Sequence, residues 1–294
     1  MRRVMLAGIG ALGSELAIKL GLLGCEQVFI ADADLLEKKN ICRSQLWSDA
    51  VPGLPKVYTA LPCLRARFPA TKWEGAPVEI ADVDPARFAE SDILFSCVDT
   101  DLARTEIAAI ACRYALPVCD AGVGGTSARL GRVSWFPHKR SAACFACLLS
   151  SRRRASLLSA WESDVHACWT EEVEDRSSWT STATVTSLIS SLQIDLAVST
   201  STDKCDAFSI HLDLDRAQTV ERIRHSRSDV CPFHDELLGE LFPVCTLAAC
   251  SACGAQFSPQ RRVGWIRRWG SCPSCGAGSL LIRKSRHEFT ESPA

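Results

Sequence analysis

Short apolar runs without charge alternate with longer segments of mixed character through the first 125 residues. Val4 to Ala7 reads as a strand, Ala11 to Leu23 as a helix and Val28 to Asp32 as a second strand, with a glycine turn between the first two. Strands this short and this apolar suit burial on both faces, as in a parallel sheet covered by helices. A helix is predicted over Pro55 to Phe68, with Pro62 expected to kink or split it. Strand APVEI, helix DPARFAE, strand ILFSCV, helix DLARTEIAAIACRYA and strand PVCDAGV continue the alternation. The fold class predicted is α/β, a Rossmann-like, doubly wound, mostly parallel sheet.

Past Gly125 the pattern changes. ARLGRVSWF alternates with period two, as an antiparallel strand does, and SACFACLL follows with a C-x-x-C pair. Residues 150 to 179, rich in Ser, Arg and Glu, read as a long exposed crossover loop. A nearly uncharged stretch, Ser181 to Val198, resumes a buried helix, and FSIHLDL and TVERIRH read as two more strands. Cys231 to His234 closes this first domain, placed at 1–240, and residues 241–294 form a separate small module.

Length and composition narrow the class. The 294 residues suffice for one large domain plus an appendage, and 47% apolar with 23% charged residues is ordinary for a globular protein. No run approaches the roughly 20 apolar residues that span a bilayer. MRRVMLAGIG breaks into glycines before any signal-peptide core, so a cytoplasmic protein with no membrane partner is expected. The formal charge is −1, yet residues 245–294 are locally basic. Sixteen cysteines without a secretory signal, several in C-x-x-C or C-x-x-H pairs, point to metal thiolates over disulfides.

The glycine turn carries the first chemistry. GIGALGSE sets Gly8, Gly10 and Gly13 between strand and helix, where backbone can approach a phosphate at a helix N-terminus, and Asp32 ends the next strand where an acid accepts from ribose hydroxyls. Alone, that pattern fits NAD, FAD or ATP. Asn40, Arg43 and Lys56 follow, donors and cations that a nicotinamide oxidoreductase leaves idle and that a triphosphate needs. Asp99, at the carboxyl end of ILFSCV, is placed to hold Mg²⁺.

Together these motifs resemble the adenylation domain of the ThiF/MoeB/HesA and ubiquitin-activating (E1-like) superfamily. The likeness rests on Gly8-Ile9-Gly10-Ala11-Leu12-Gly13-Ser14, Asp32-Ala33-Asp34 with Asn40 and Arg43, Lys56, Asp99 with Arg104, and Cys144-x-x-Cys147, and covers roughly residues 3 to 235. The resemblance implies that Gly10 packs under ATP, Asp32 binds the ribose, Asn40, Arg43 and Lys56 contact phosphates, and Asp99 holds Mg²⁺. The C-terminal glycine carboxylate of a ubiquitin-like or sulfur-carrier protein would attack the α-phosphate, giving an acyl adenylate and pyrophosphate. It further implies a homodimer joined near Ser181 to Val198, and a cysteine in the crossover loop, Cys168 here, that takes the activated carboxyl as a thioester or persulfide; the extra cysteine-paired tail and the long charged loop point to a bacterial ubiquitin-like pathway with a downstream conjugating protein. Three departures stand out: Ser44 where Gln is usual, Thr100 where Asn is usual, and only Arg2 and Arg3 where the family supplies a triphosphate-binding arginine ahead of the first strand. A catalytically inactive subunit or zinc-ribbon scaffold that binds such a partner is the alternative.

Two structural zinc sites are expected. Cys144 and Cys147 need a second pair for tetrahedral coordination, and Cys231 with His234 stands where the family has its closing C-x-x-C. Cys250-x-x-Cys253 and Cys272-x-x-Cys275, separated by 18 residues and each followed by glycine, have zinc-ribbon spacing, and a module this small depends on metal to fold. Its RRVGWIRRWG stretch mixes cations with Trp265 and Trp269, which fits a packed knuckle surface, a basic face for an acidic protein or a nucleic-acid contact, nucleic acid being the least expected partner. Cys25, Cys63, Cys97, Cys112, Cys119 and Cys205 are assigned to packing.

Overall fold

The computed structural model describes residues 2–41, 44–47, 52–124, 129–137, 139, 141–150, 152–153, 183–200, 206–215, 220–229, 231, 234, 248–249, 253, 255–257 and 274–275. Its strands are β1 (Arg3–Ala7), β2 (Gln27–Ala31), β3 (Lys72–Ala76), β4 (Ile93–Ser96), β5 (Val118–Gly124), β6 (Leu130–Phe136), β7 (Phe208–Asp213) and β8 (Val220–Arg224). They make one sheet in the order β3-β2-β1-β4-β5-β6-β7-β8. The first five run parallel, and β6, β7 and β8 continue antiparallel. The order reverses at β1, and ligands of open α/β sheets bind beyond the strand ends at such a reversal.

Both faces are covered. Helices α1 (Ala11–Leu23), α3 (Lys56–Arg67) and α7 (Ala183–Ser199) share a core with alternate strand residues such as Val4, Leu6, Val28 and Ile30. Helices α4 (Pro85–Ala89) and α5 (Asp101–Tyr114) pack on the other face, against Met5 and Leu94. Burial of neighbouring residues on opposite faces is why β2 and β4 carry no charge and β1 carries only the exposed Arg3 at its start. The predicted Ser181 to Val198 helix is α7; it lies along α1 and sends Ile189 into the space left by Gly131, where any Cβ would collide with that side chain.

Two expectations change in detail. Pro62 sits inside α3 without splitting it, because it lies on the exposed side, where water can satisfy the carbonyl that its missing N–H leaves free. APVEI is not a strand. The pairing with β2 runs over Lys72–Ala76 and stops before Pro77, which has no N–H to continue a ladder, and Ile80–Asp82 is a 3₁₀ turn. Thr100 caps α5, its hydroxyl accepting from Ala103 N–H at 3.2 Å, so the departure from Asn preserves a cap.

Two short strands, β9 (Ala248–Ala249) and β10 (Gln256–Phe257), pair antiparallel, and Cys253 lies in a turn ahead of β10. Among the described residues no helix is long and apolar enough to cross a membrane.

Candidate functional site

The glycine turn is built by close contacts. Gly8 has φ +86°, and a Cβ there would lie 2.7 Å from the Cys97 carbonyl on the neighbouring chain segment after β4. At Gly13 a Cβ would collide with the Gly8 carbonyl, so this glycine serves helix-to-turn packing. Over Gly10 the space is open. Asp32 locks the turn to β2: Ile9 N–H donates to Oδ2 at 2.7 Å and Asp34 N–H to Oδ1 at 2.8 Å. Burial raises its pKa, with Lys56 and the two backbone donors pulling the other way. A carboxylate holding two donors keeps lone pairs free for a pair of hydroxyls.

Around this turn a cleft of about 1360 Å³ opens at the carboxyl edge of the sheet. Gly8, Gly10, Asp32, Lys56, Asp99 and Arg104 all line it. The loop between β2 and α3 closes on itself through the Leu35 and Pro55 bridge, seating Lys56 at the start of α3. Lys56 Nζ lies 2.6 Å from Asp34 Oδ2 with its own side chain only 10% exposed, so the cation is held at the wall. Asp99 stands exposed at the mouth. Asn40 is not brought in among the described lining; it sits in the short helix α2 (Lys38–Ile41), and its Oδ1 accepts from Glu37 N–H at 2.9 Å. Arg43 lies outside the described residues, as does Cys168. Ser44 is buried and its hydroxyl accepts from Leu46 N–H at 3.1 Å, a local turn bond. Arg2 precedes β1 and Arg3 begins it, at the opposite edge, where they face Glu26 and Asp92, so they do not supply the cleft with a cation.

The sequence reading missed the clamp beneath the cleft. Asp120, on β5, is 2% exposed and receives Ser96 Oγ at 2.6 Å, Arg104 Nε at 3.1 Å and Arg132 Nη2 at 2.8 Å. Ser96 and Asp120 are register partners on β4 and β5. Arg104 also donates to the carbonyls of Val98 at 2.6 Å and Asp99 at 3.3 Å. Across the strands Arg132 pairs with His211 and His211 with Glu221. Burial, then the Arg132 cation, holds His211 below its ordinary pKa, with Glu221 opposing. A signal was there to read: an acid inside the apolar run PVCDAGV must find a cation.

The residues of the first candidate metal centre lie together in the structure. Short helix α6 (Phe145–Leu148) starts at Cys144, and Cys144, Cys147, Cys231 and His234 converge so that one ligand atom from each lies within 4.8 Å of the others. Cys144 Sγ is 3.7 Å from Cys231 Sγ and 3.9 Å from Cys147 Sγ. A tetrahedron with 2.3 Å zinc–sulfur arms has edges of about 3.8 Å. Nε2 of His234 is buried without a hydrogen-bond partner. Hydrogen bonds from Cys144 and Cys231 hold Cys147 far below the ordinary thiol range, the thiolate form a metal takes. These residues fit Zn²⁺. Cys112 of α5 also reaches Cys144, and Cys97 borders the cleft, while Cys63 is exposed instead of packed; Cys25 and Cys119 are buried as expected. Of the ribbon ligands, Cys253 and Cys275 are exposed, and Cys250 and Cys272 lie outside the described residues.

Comparison with known proteins follows the same lines. The model of the ThiF family matches residues 1–233. Molybdopterin-synthase adenylyltransferase of Escherichia coli is 28% identical over 148 residues, 50% of this chain and 58% of that one. A Saccharomyces cerevisiae protein named ubiquitin-activating enzyme E1-like is 27% identical over 148 residues, 49% of this chain and 22% of its own. The chain thus spans little more than half the length of the first of these relatives. Among solved structures, the crystal structure of E. coli MccB with ATP superposes with a TM-score of 0.57 at 16% identity, covering 80% of this chain and 66% of that chain, a likeness of fold.

Proposed function

Because the chain belongs to the ThiF family, we propose that it is an ATP-dependent adenylyltransferase that activates the C-terminal glycine of a ubiquitin-like or sulfur-carrier protein. The carrying observation is one wall that gathers a bare glycine turn, the buried acid Asp32, the seated cation Lys56 and the edge carboxylate Asp99. Asp32 takes the ribose and the open space over Gly10 takes the nucleotide. Lys56 faces the phosphates, joined by Arg43 from the adjoining loop, while Asn40 is taken up by its own turn. Asp99 would hold Mg²⁺, which neutralises triphosphate charge. A carboxylate oxygen of the carrier attacks the α-phosphorus, the bond to the bridging oxygen breaks, and pyrophosphate leaves; positioning and charge neutralisation carry the step. The two cysteine-rich centres are structural zinc sites. Thioester transfer to Cys168, a homodimer through the exposed Leu188 and Val198 side of α7, a cytoplasmic setting and a bacterial ubiquitin-like pathway complete the reading.

One observation favours a second reading, an inactive partner-binding subunit: Arg2 and Arg3 sit away from the cleft. Isotope exchange between pyrophosphate and ATP, driven by small glycine-terminated carriers, separates the two. Exchange is expected with at least one carrier, and Lys56→Ala is expected to lower it about a hundredfold, the usual cost of one preorganised charge-stabilising donor. Exchange unchanged by Lys56→Ala would remove the role given to that residue, and its absence with every carrier would support the inactive subunit.

A further inference from the structure

The cleft is larger than a nucleotide requires. Small-ligand sites run to about 300–1,000 Å³, whereas this one encloses about 1360 Å³. β1, β2 and β4 wall one part of it, with the glycine turn and Asp32. β5 to β8 wall the rest, where Gly122 presents bare backbone and Arg132 and His211 are the cross-strand pair. Asp120 on β5 joins the two parts, because it receives Arg132 from β6 and Ser96 from β4.

The two guanidiniums on Asp120 are not equivalent. Arg104 directs its donors to Asp120 and to two backbone carbonyls. A Cβ at Gly122 would stand 3.1 Å from its Nη2, so the glycine makes room for it. Arg132 gives one bond to Asp120, while its Nε is buried without a hydrogen-bond partner and its side chain, 31% exposed, lines the cleft. Phe145 lies 5.9 Å from that guanidinium and closes its apolar side. Arg104 has a second carboxylate, Asp101, at 4.0 Å, so of the two guanidiniums on Asp120 it is Arg132 that keeps a donor to spare at the floor of the cleft. Such a guanidinium favours a planar anion that can take two parallel N–H bonds.

Resting on the adenylation reading above, we propose that Arg132 binds the terminal carboxylate of the protein substrate next to the nucleotide, with Asp120 as the positioning residue that aims it. A phosphate oxygen of ATP is the other anion of matching chemistry. The neutral amide of the same peptide end lacks the charge and one acceptor, so discrimination between acid and amide belongs to this guanidinium.

The test uses the full chain, a non-hydrolysable ATP analogue with magnesium, and N-acetyl-diglycine as free acid or amide, followed by calorimetry. The wild type is expected to bind the analogue, and then the acid at least tenfold more tightly than the amide. Arg132→Gln should abolish that preference while holding analogue affinity within twofold, and Arg132→Lys should restore part of it. Asp120→Asn, at a residue that touches no ligand, should also lose the preference. Acid and amide bound alike, or neither bound, by analogue-loaded wild type overturns the proposal, with no variant required. Equal loss of analogue and acid in Arg132→Gln also overturns it, by assigning the guanidinium to the nucleotide. If the wild type binds no analogue, the adenylation reading itself falls first.

Discussion

Asp120→Ala is expected to lower the unfolding free energy by about 3 kcal/mol, the low end of the cost of breaking a buried ion pair from one side. The low end applies because Arg132 is 31% exposed and water can reach it, whereas Arg104, at 11%, has no such relief. Two guanidiniums lose their shared anion, and Ser96 loses its acceptor. At about 2–4 °C per kcal/mol for a domain of this size, the thermal midpoint should fall by roughly 6–12 °C. Urea denaturation should show a lower midpoint with unchanged slope. A midpoint equal to that of the wild type would mean that the clamp is dispensable and that Arg104 and Arg132 find other partners.

Stripping metal from the Cys144, Cys147, Cys231 and His234 cluster should have the larger effect. Structural zinc supplies roughly 10–16 kcal/mol of apparent folding free energy to zinc-finger peptides. The sheet here has its own core on both faces, so only part of that is at risk. Even a third, about 4 kcal/mol, corresponds to a fall of roughly 8–16 °C. The cluster ties α6 to the chain at Cys231, 87 residues on, against the end of α5, so its loss frees both connections at once. Calorimetric scans with and without a strong chelator, with metal content measured in parallel, check this. Cys231→Ala should reproduce the chelated midpoint and reduce bound zinc by one equivalent per chain; an unchanged midpoint in both would make the cluster a set of packed thiols.

Legibility in the sequence followed the range of the physics. The strands β1, β2, β4 and β5 and the helices between them were readable because each buries an apolar set fixed by local period, and the glycine turn was readable because φ +86° at Gly8 admits little else. Spacing also announced the metal cluster, since C-x-x-C brings two thiols together wherever the second pair arrives. β3 was misplaced because its register depends on β2 and on Pro77, a partner and a breaker that no local window weighs together. The clamp was missed for a similar reason. Ser96, Arg104, Asp120 and Arg132 sit on four different elements, and only the β4, β5 and β6 register brings them within bonding distance. Asn40 was readable as a polar residue in the right loop but not as one that bonds its own turn.

The central claim is that the cleft holds a triphosphate with a divalent cation and not a redox coenzyme. Titration calorimetry of the purified chain with MgATP and, separately, with NADH tests it most directly. Saturable binding of MgATP at one site per chain, weakened by Lys56→Ala and by Asp99→Ala, with no heat from NADH, is the predicted result. NADH binding in place of MgATP, or MgATP affinity indifferent to both substitutions, would contradict it.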